Sequence, residues 1–233
     1  MREPLPVVLI PGLVCTPRLY LEQISALWQF GPVTVADHTR DDSMSAIAQR
    51  ILSLAPPRFA LVGLSMGGYI AFEILRRAPE RVVKLALLDT TARPDLPEQT
   101  EQRKLQIEMA LDGRFDAIAR LLFPRFVAAS HQGDRTLQRI VRTMADDTGA
   151  EAFARQQTAI MNRVDSRPSL AAIACSTLVV VGEQDALTPP DRAAEIAAGI
   201  QGAQQVVVPD CGHLSTLEQP ETLTRVLVDF VRS

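Results

Sequence analysis

Apolar residues fall in short runs that do not alternate in polarity: VVLI (7–10), VTVA (33–36), FALVGL (59–64), VVKLALL (82–88), LVVV (178–181) and QVVV (205–208). Continuous runs of this length suit strands covered by helices on both faces of a sheet. Between them lie helical patterns with start signals. Thr16-Pro17 precedes 18–30, Ser43 precedes 44–54, and Pro189-Pro190 precedes 191–198. Strand and helix in alternation predict an α/β fold, a mostly parallel sheet of about six strands joined by right-handed crossovers. The rhythm breaks between 93 and 170. That stretch offers amphipathic helical patterns at 99–111, 115–122, 136–146 and 150–162 and no strand run. It reads as a helical cap (93–170) inserted into a core built from 1–92 and 171–233, within one structural domain.

Composition narrows the function classes. The 233 residues are 47% hydrophobic and 22% charged, the make-up of a single compact core. With 24 basic against 27 acidic side chains, the net charge is −3, which supplies no basic field for nucleic acid or an anionic membrane. The expected partner is a small molecule. The opening MREPLPVVLIPG lacks the apolar length of an export leader, and no apolar run approaches the roughly 20 residues that cross a bilayer. Cys15, Cys175 and Cys211 form neither a paired framework nor a metal-binding CxxC. A cytoplasmic protein without metal or cofactor is the expectation.

The candidate chemistry lies at the ends of the strand runs. FALVGL leads directly into Ser65-Met66-Gly67-Gly68 and a helical pattern, so Ser65 sits on a strand-to-helix turn with Gly63 and Gly67 two residues to either side. Such a turn lifts the hydroxyl clear of the sheet and needs small flanking residues to close. The five-residue pattern is weak alone and gains its force from the strand before it and the helix after it. A serine hydroxyl needs a base to become a nucleophile. His213 follows the last strand run, on the sheet edge that carries Ser65. His38, in ADHTRDD, and His131, in SHQGD, read as loop residues exposed to water. The base in turn needs a carboxylate. Asp185, after the fifth strand run, is the first candidate; Asp89, after LALL, is its rival on position, and its simpler role is to hydrogen-bond the start of the cap. Glu183 is expected to face solvent. Oxyanion donors fall on the Met66 amide and, in the loop after the first strand, on the amide of Leu13 with Val14 as the alternative.

Taken together, VVLIPGL, FALVGLSMGGYIAFEIL, RAPERV, VVVGEQDALTPP and CGHLSTLEQPE resemble the α/β-hydrolase superfamily over nearly the whole chain. The resemblance implies the α/β-hydrolase fold, with Ser65 as nucleophile, Asp185 as acid, His213 as base, and the Leu13 and Met66 amides as an oxyanion hole. A serine at position 65 sets the chain apart from the dehalogenase and epoxide-hydrolase branches, whose nucleophile is a carboxylate. Two departures stand out. Pro11-Gly12 replaces the usual His-Gly of the oxyanion loop, and no antiparallel strand pair precedes the first run. The implied activity is hydrolysis of a small carboxylic ester. The alternatives are a lactonase similar to 3-oxoadipate enol-lactonases, a perhydrolase side activity, a lyase like that of the menaquinone pathway, and a non-catalytic small-ligand receptor. In the cap, Arg120, Arg125, Arg139 and Arg163 could meet an acidic substrate group, against the usual solvated role of such arginines.

Overall fold

The computed structural model of the chain describes residues 4–233, so the reading of the opening segment as lacking a leader rests in part on residues outside the described set. Six strands form one parallel sheet among the described residues: β1 (Val7–Ile10), β2 (Val33–Val35), β3 (Phe59–Leu64), β4 (Val82–Leu88), β5 (Ser176–Gly182) and β6 (Gln204–Val208). Their spatial order is β2-β1-β3-β4-β5-β6. The four inner strands are buried almost throughout. The edge strands β2 and β6 are half-exposed, so the expectation of burial on both faces fails at the two margins. An edge strand has one neighbour instead of two, and water reaches its outer side.

Helices cover the sheet as α1 (Leu21–Leu27), α2 (Met44–Leu54), α3 (Met66–Arg77), α4 (Pro97–Met109), α5 (Phe115–Phe126), α6 (Arg135–Met161), α7 (Pro190–Gly199), α8 (Ser215–Glu218) and α9 (Pro220–Arg232). The Ser43 hydroxyl accepts from the Ala46 N–H and caps α2, as its place in the sequence predicted. Successive strand residues point to opposite faces. Leu9, Val62, Ala86 and Leu178, which stand side by side in register, point toward α1 and α9 with Leu27, Leu223 and Leu227. Val8, Leu61, Leu85 and Val179 point the other way, onto α2, α3 and α7 through Ile47, Ile70 and Ile196.

Between β4 and β5 the chain forms helices only, and α4, α5 and α6 stand over one edge of the sheet. The two helical patterns expected at 136–146 and 150–162 merge in α6, broken at Gly149, where φ is 76° and ψ 166°. Strand order reverses between β1 and β3, because the chain goes out to β2 and then returns past β1. Loops on the carboxyl side of such a reversal diverge and leave a crevice.

Candidate active site

Ser65 is the single residue between β3 and α3, held at φ 55° and ψ −112°. A non-glycine residue in this region carries strain of order 1–3 kcal/mol, and its neighbours hold it there. Its N–H donates to Leu88 O at 2.9 Å, and its carbonyl accepts from Gly68 N at 2.9 Å and Thr90 Oγ1 at 2.8 Å. The turn closes only over glycine. A Cβ on Gly67 would stand 2.1 Å from Ile10 O, and one on Gly63 would stand 2.4 Å from Gly67 O. The serine is thereby fixed beside β1, at the crevice.

His213 and Asp185 reach the serine from the loops after β6 and β5. His213 Nε2 lies 2.8 Å from Ser65 Oγ, and Nδ1 lies 2.8 Å from Asp185 Oδ2. Asp185 is an acceptor, so Nδ1 carries the proton and Nε2 is left to accept from the serine hydroxyl. Asp185 is itself held by Leu187 N at 2.8 Å, Thr188 N at 3.0 Å and Thr188 Oγ1 at 2.7 Å. Burial by itself would lower the His213 pKa, but the facing Asp185 carboxylate, with the more distant charges of Asp89 and Glu218, more than reverses this and the net shift is upward from 6.5. Burial likewise opposes ionisation of Asp185, and His213 with the Thr188 hydrogen bonds brings its pKa below the ordinary value. The ring of Phe126, at the end of α5, stacks on His213 with centroids 6.0 Å apart.

Two further carboxylates shape the site without touching the histidine ring. Asp89 is fully buried. Its Oδ1 accepts from Gly182 N at 2.9 Å, and its Oδ2 accepts from the Ser215 hydroxyl. It braces β4 against the end of β5 and the start of α8, which replaces the role at the start of the cap inferred from the sequence. Burial, then the like charge of Asp185, push its pKa upward. Glu218, which the sequence reading passed over, accepts from Gly212 N and Leu214 N at 3.1 Å, either side of His213, and from Ala128 N at 2.7 Å after α5. His131 Nδ1 lies 2.9 Å from the same carboxylate. The signal for Glu218 was its place in LEQPE just after the histidine loop.

The remaining candidates divide plainly. Leu13 lines the cavity and its N–H has no hydrogen-bond partner among the described residues. Met66 opens α3, so its N–H has no partner within the helix. The Val14 N–H, the alternative donor, is taken by Gln156 Oε1 at 3.1 Å. Glu183 is exposed, as expected. His38 is a correction: it is buried, with Nε2 2.9 Å from Gly12 O and 3.1 Å from Gln156 Nε2. Its acidic and basic neighbours point outward while the ring turns inward to tie the Gly12 loop to α6.

A cavity of about 430 Å³ opens above Ser65 and His213, walled by α4, α5, α6 and the loop after β5. Leu122, Phe126 and Ile160 supply apolar wall. Of the four arginines singled out in the sequence, Arg125 and Arg163 line the cavity. Arg120 pairs outside it with Asp116, and Arg139 lies exposed on α6. Among the described residues, no group of three or more His, Cys, Asp or Glu is placed to hold a metal ion and no helix is long and apolar enough to cross a membrane.

A parallel sheet of this order, with a strained serine after β3 and a histidine after β6, is an arrangement with known relatives. Residues 23–220 match the family model for the alpha/beta hydrolase fold, and the chain belongs to that family. Among individual proteins, it is 30% identical over 210 residues to a 2-hydroxy-6-oxononadienedioate/2-hydroxy-6-oxononatrienedioate hydrolase of Paraburkholderia xenovorans, covering 88% of this chain and 73% of the relative. A thermophilic esterase from Thermogutta terrifontis superposes with a TM-score of 0.88 at 32% identity, over 98% of this chain and 89% of the other. The enol-lactonase from Burkholderia xenovorans superposes at 0.90 with 25% identity, over 100% and 93%.

Proposed function

We propose that the chain is a serine hydrolase that cleaves small carboxylic esters through an acyl-enzyme. The observation that carries the reading is the unbroken chain of 2.8 Å contacts from Ser65 Oγ through His213 to Asp185 Oδ2, opening into a cavity. His213 Nε2 takes the proton as Ser65 Oγ attacks the ester carbonyl. The oxyanion forms against the Leu13 and Met66 N–H groups. Collapse breaks the bond to the alcohol oxygen, which receives the proton from Nε2. Water, deprotonated by the same nitrogen, then releases the acid and restores the serine.

In this reading residues 1–92 and 171–233 supply the machinery and 93–170 form a cap that shapes what enters. The three unpaired cysteines suit a reducing compartment, and we place the protein in the cytoplasm. A second reading, lactone opening, is favoured by the likeness to the enol-lactonase; it uses the same steps with the leaving alcohol tethered to the acyl group.

A fluorophosphonate probe tests the nucleophile. The expected result is a single mass gain mapped to Ser65 and absent from Ser65→Ala. An intact protein that never gains the mass overturns the reading. A panel of short p-nitrophenyl esters against five- and six-membered lactones then ranks the two readings by kcat/KM.

A further inference from the structure

The cavity that holds Ser65 has a strongly cationic lining. Arg93, Arg103, Arg125, Arg163, Arg167 and Arg192 all line it, and Asp95 is the one acidic side chain among the described residues that does. Three of these arginines are neutralised from outside the cavity: Arg93 by Glu195, Arg167 by Asp165 and Arg192 by Asp191. The other three are not balanced. Arg163 Nη1 holds Asp95 Oδ1 at 2.6 Å while Arg103 Nε holds Asp95 Oδ2 at 2.7 Å, so two guanidiniums share one carboxylate. Arg125 pairs with no carboxylate among the described residues.

Burial makes this imbalance costly. The side chains of Arg163 and Asp95 are 6% and 1% exposed, and that of Arg103 is 21% exposed. A surplus positive charge in a partly dry wall is unfavourable unless an anion completes it. The neighbours fix the two guanidiniums in place. Arg163 lies 4.3 Å over the Tyr69 ring and donates to the carbonyls of Arg93 and Ile160. Arg103 donates to Gln157, which in turn donates to Gln106 at 2.7 Å. A fixed guanidinium pair with spare N–H donors is suited to a planar carboxylate.

We propose that the substrate carries a free carboxylate besides the bond that is cleaved, and that Arg103 and Arg163, with Arg125, form the subsite that holds it. The expected substrate class is therefore the half-ester or the carboxylated lactone of a small dicarboxylic acid, rather than a neutral ester. This rests on the hydrolase reading of the same cavity, and the test separates the two.

Monomethyl glutarate and dimethyl glutarate differ in the charge at one end. Calorimetric titration of each into Ser65→Ala reads binding without turnover. The monoanion is expected to bind about tenfold to a hundredfold more tightly, the range of one charge-assisted hydrogen-bonded pair. The preference should shrink between about 50 and about 500 mM NaCl. Adding Arg163→Gln or Arg103→Gln should bring it to about threefold or less, and Arg139→Gln, outside the cavity, should leave it intact. Arg125→Gln, at an exposed position, gives a third lowering that does not disturb the buried pair, should either buried variant fail to fold. Equal binding of the two esters, or a preference that survives every folded arginine variant, overturns the proposal. Failure of the wild-type protein to cleave either ester would instead count against the hydrolase reading, because the binding preference is read independently.

Discussion

The sheet edge and the helical wall above it are specified in different ways. At the edge, backbone does much of the placing: Ser65 is pinned by a strained turn between two buried elements, and the loops that carry His213 and Asp185 are held through their own backbone amides, which donate to the Glu218 and Asp185 carboxylates. In the wall, side chains hold side chains, as in Arg163 and Arg103 on Asp95 or Gln157 on Gln106. Rigid backbone keeps reacting atoms within hydrogen-bond reach, whereas a side-chain network can be rewritten one residue at a time. Changes at the edge should therefore appear in kcat or in folding, and changes in the wall in KM.

The largest expected effect is that of Asp185→Asn. Loss of the carboxylate leaves His213 without the partner that sets its tautomer, and kcat should fall by about 10⁴, as for the acid of serine-protease triads. The pH profile sharpens this. Only neutral His213 accepts the serine proton, so kcat/KM should rise with pH through a midpoint above 6.5, the direction of the wild-type shift. In Asp185→Asn the carboxylate's upward pull is gone and burial remains, so the residual activity should rise at lower pH than in wild type. Stopped assays from pH 5 to 9 measure both; an unmoved limb would remove Asp185 from this role.

Gly67→Ala comes next. Its methyl would meet Ile10 O, so the turn must shift, at about 1–3 kcal/mol and roughly 2–4 °C in Tm per kcal/mol. Thermal unfolding followed by circular dichroism reads it. A stable variant with altered KM alone would break the contrast between edge and wall. Glu218→Gln should cost about 1–3 kcal/mol, since a charge-assisted acceptor of several amides becomes a neutral one. Because two of those amides flank His213, kcat should fall further than KM rises. The smallest effect belongs to the exposed Arg18–Asp147 pair, where Arg18→Ala should change stability by less than about 1 kcal/mol in urea denaturation.

Legibility in the sequence followed the same division. The strand runs matched the observed strands to within about two residues, because continuous apolar runs between helix signals are local information. Ser65, His213 and Asp185 were readable because each follows a strand on one edge. The partners missed were long-range. Glu218 acts on Ala128 across 90 residues, Gln156 on Val14 across 142, and Asp89 on Gly182 across 93. His38 misled through its neighbours: in ADHTRDD one inward-turned ring leaves no local trace of the Gly12 carbonyl it reaches.

The ends of the helical stretch are anchored side by side, since the Ser166 N–H donates to Ala92 O at 2.8 Å. A stretch of chain tethered at two adjacent points can be lengthened, shortened or exchanged at a closure cost that grows only with the logarithm of its length. Grafting a relative's helical stretch between Ala92 and Ser166 is thus a small topological demand, and descent could replace one appetite with another without touching Ser65.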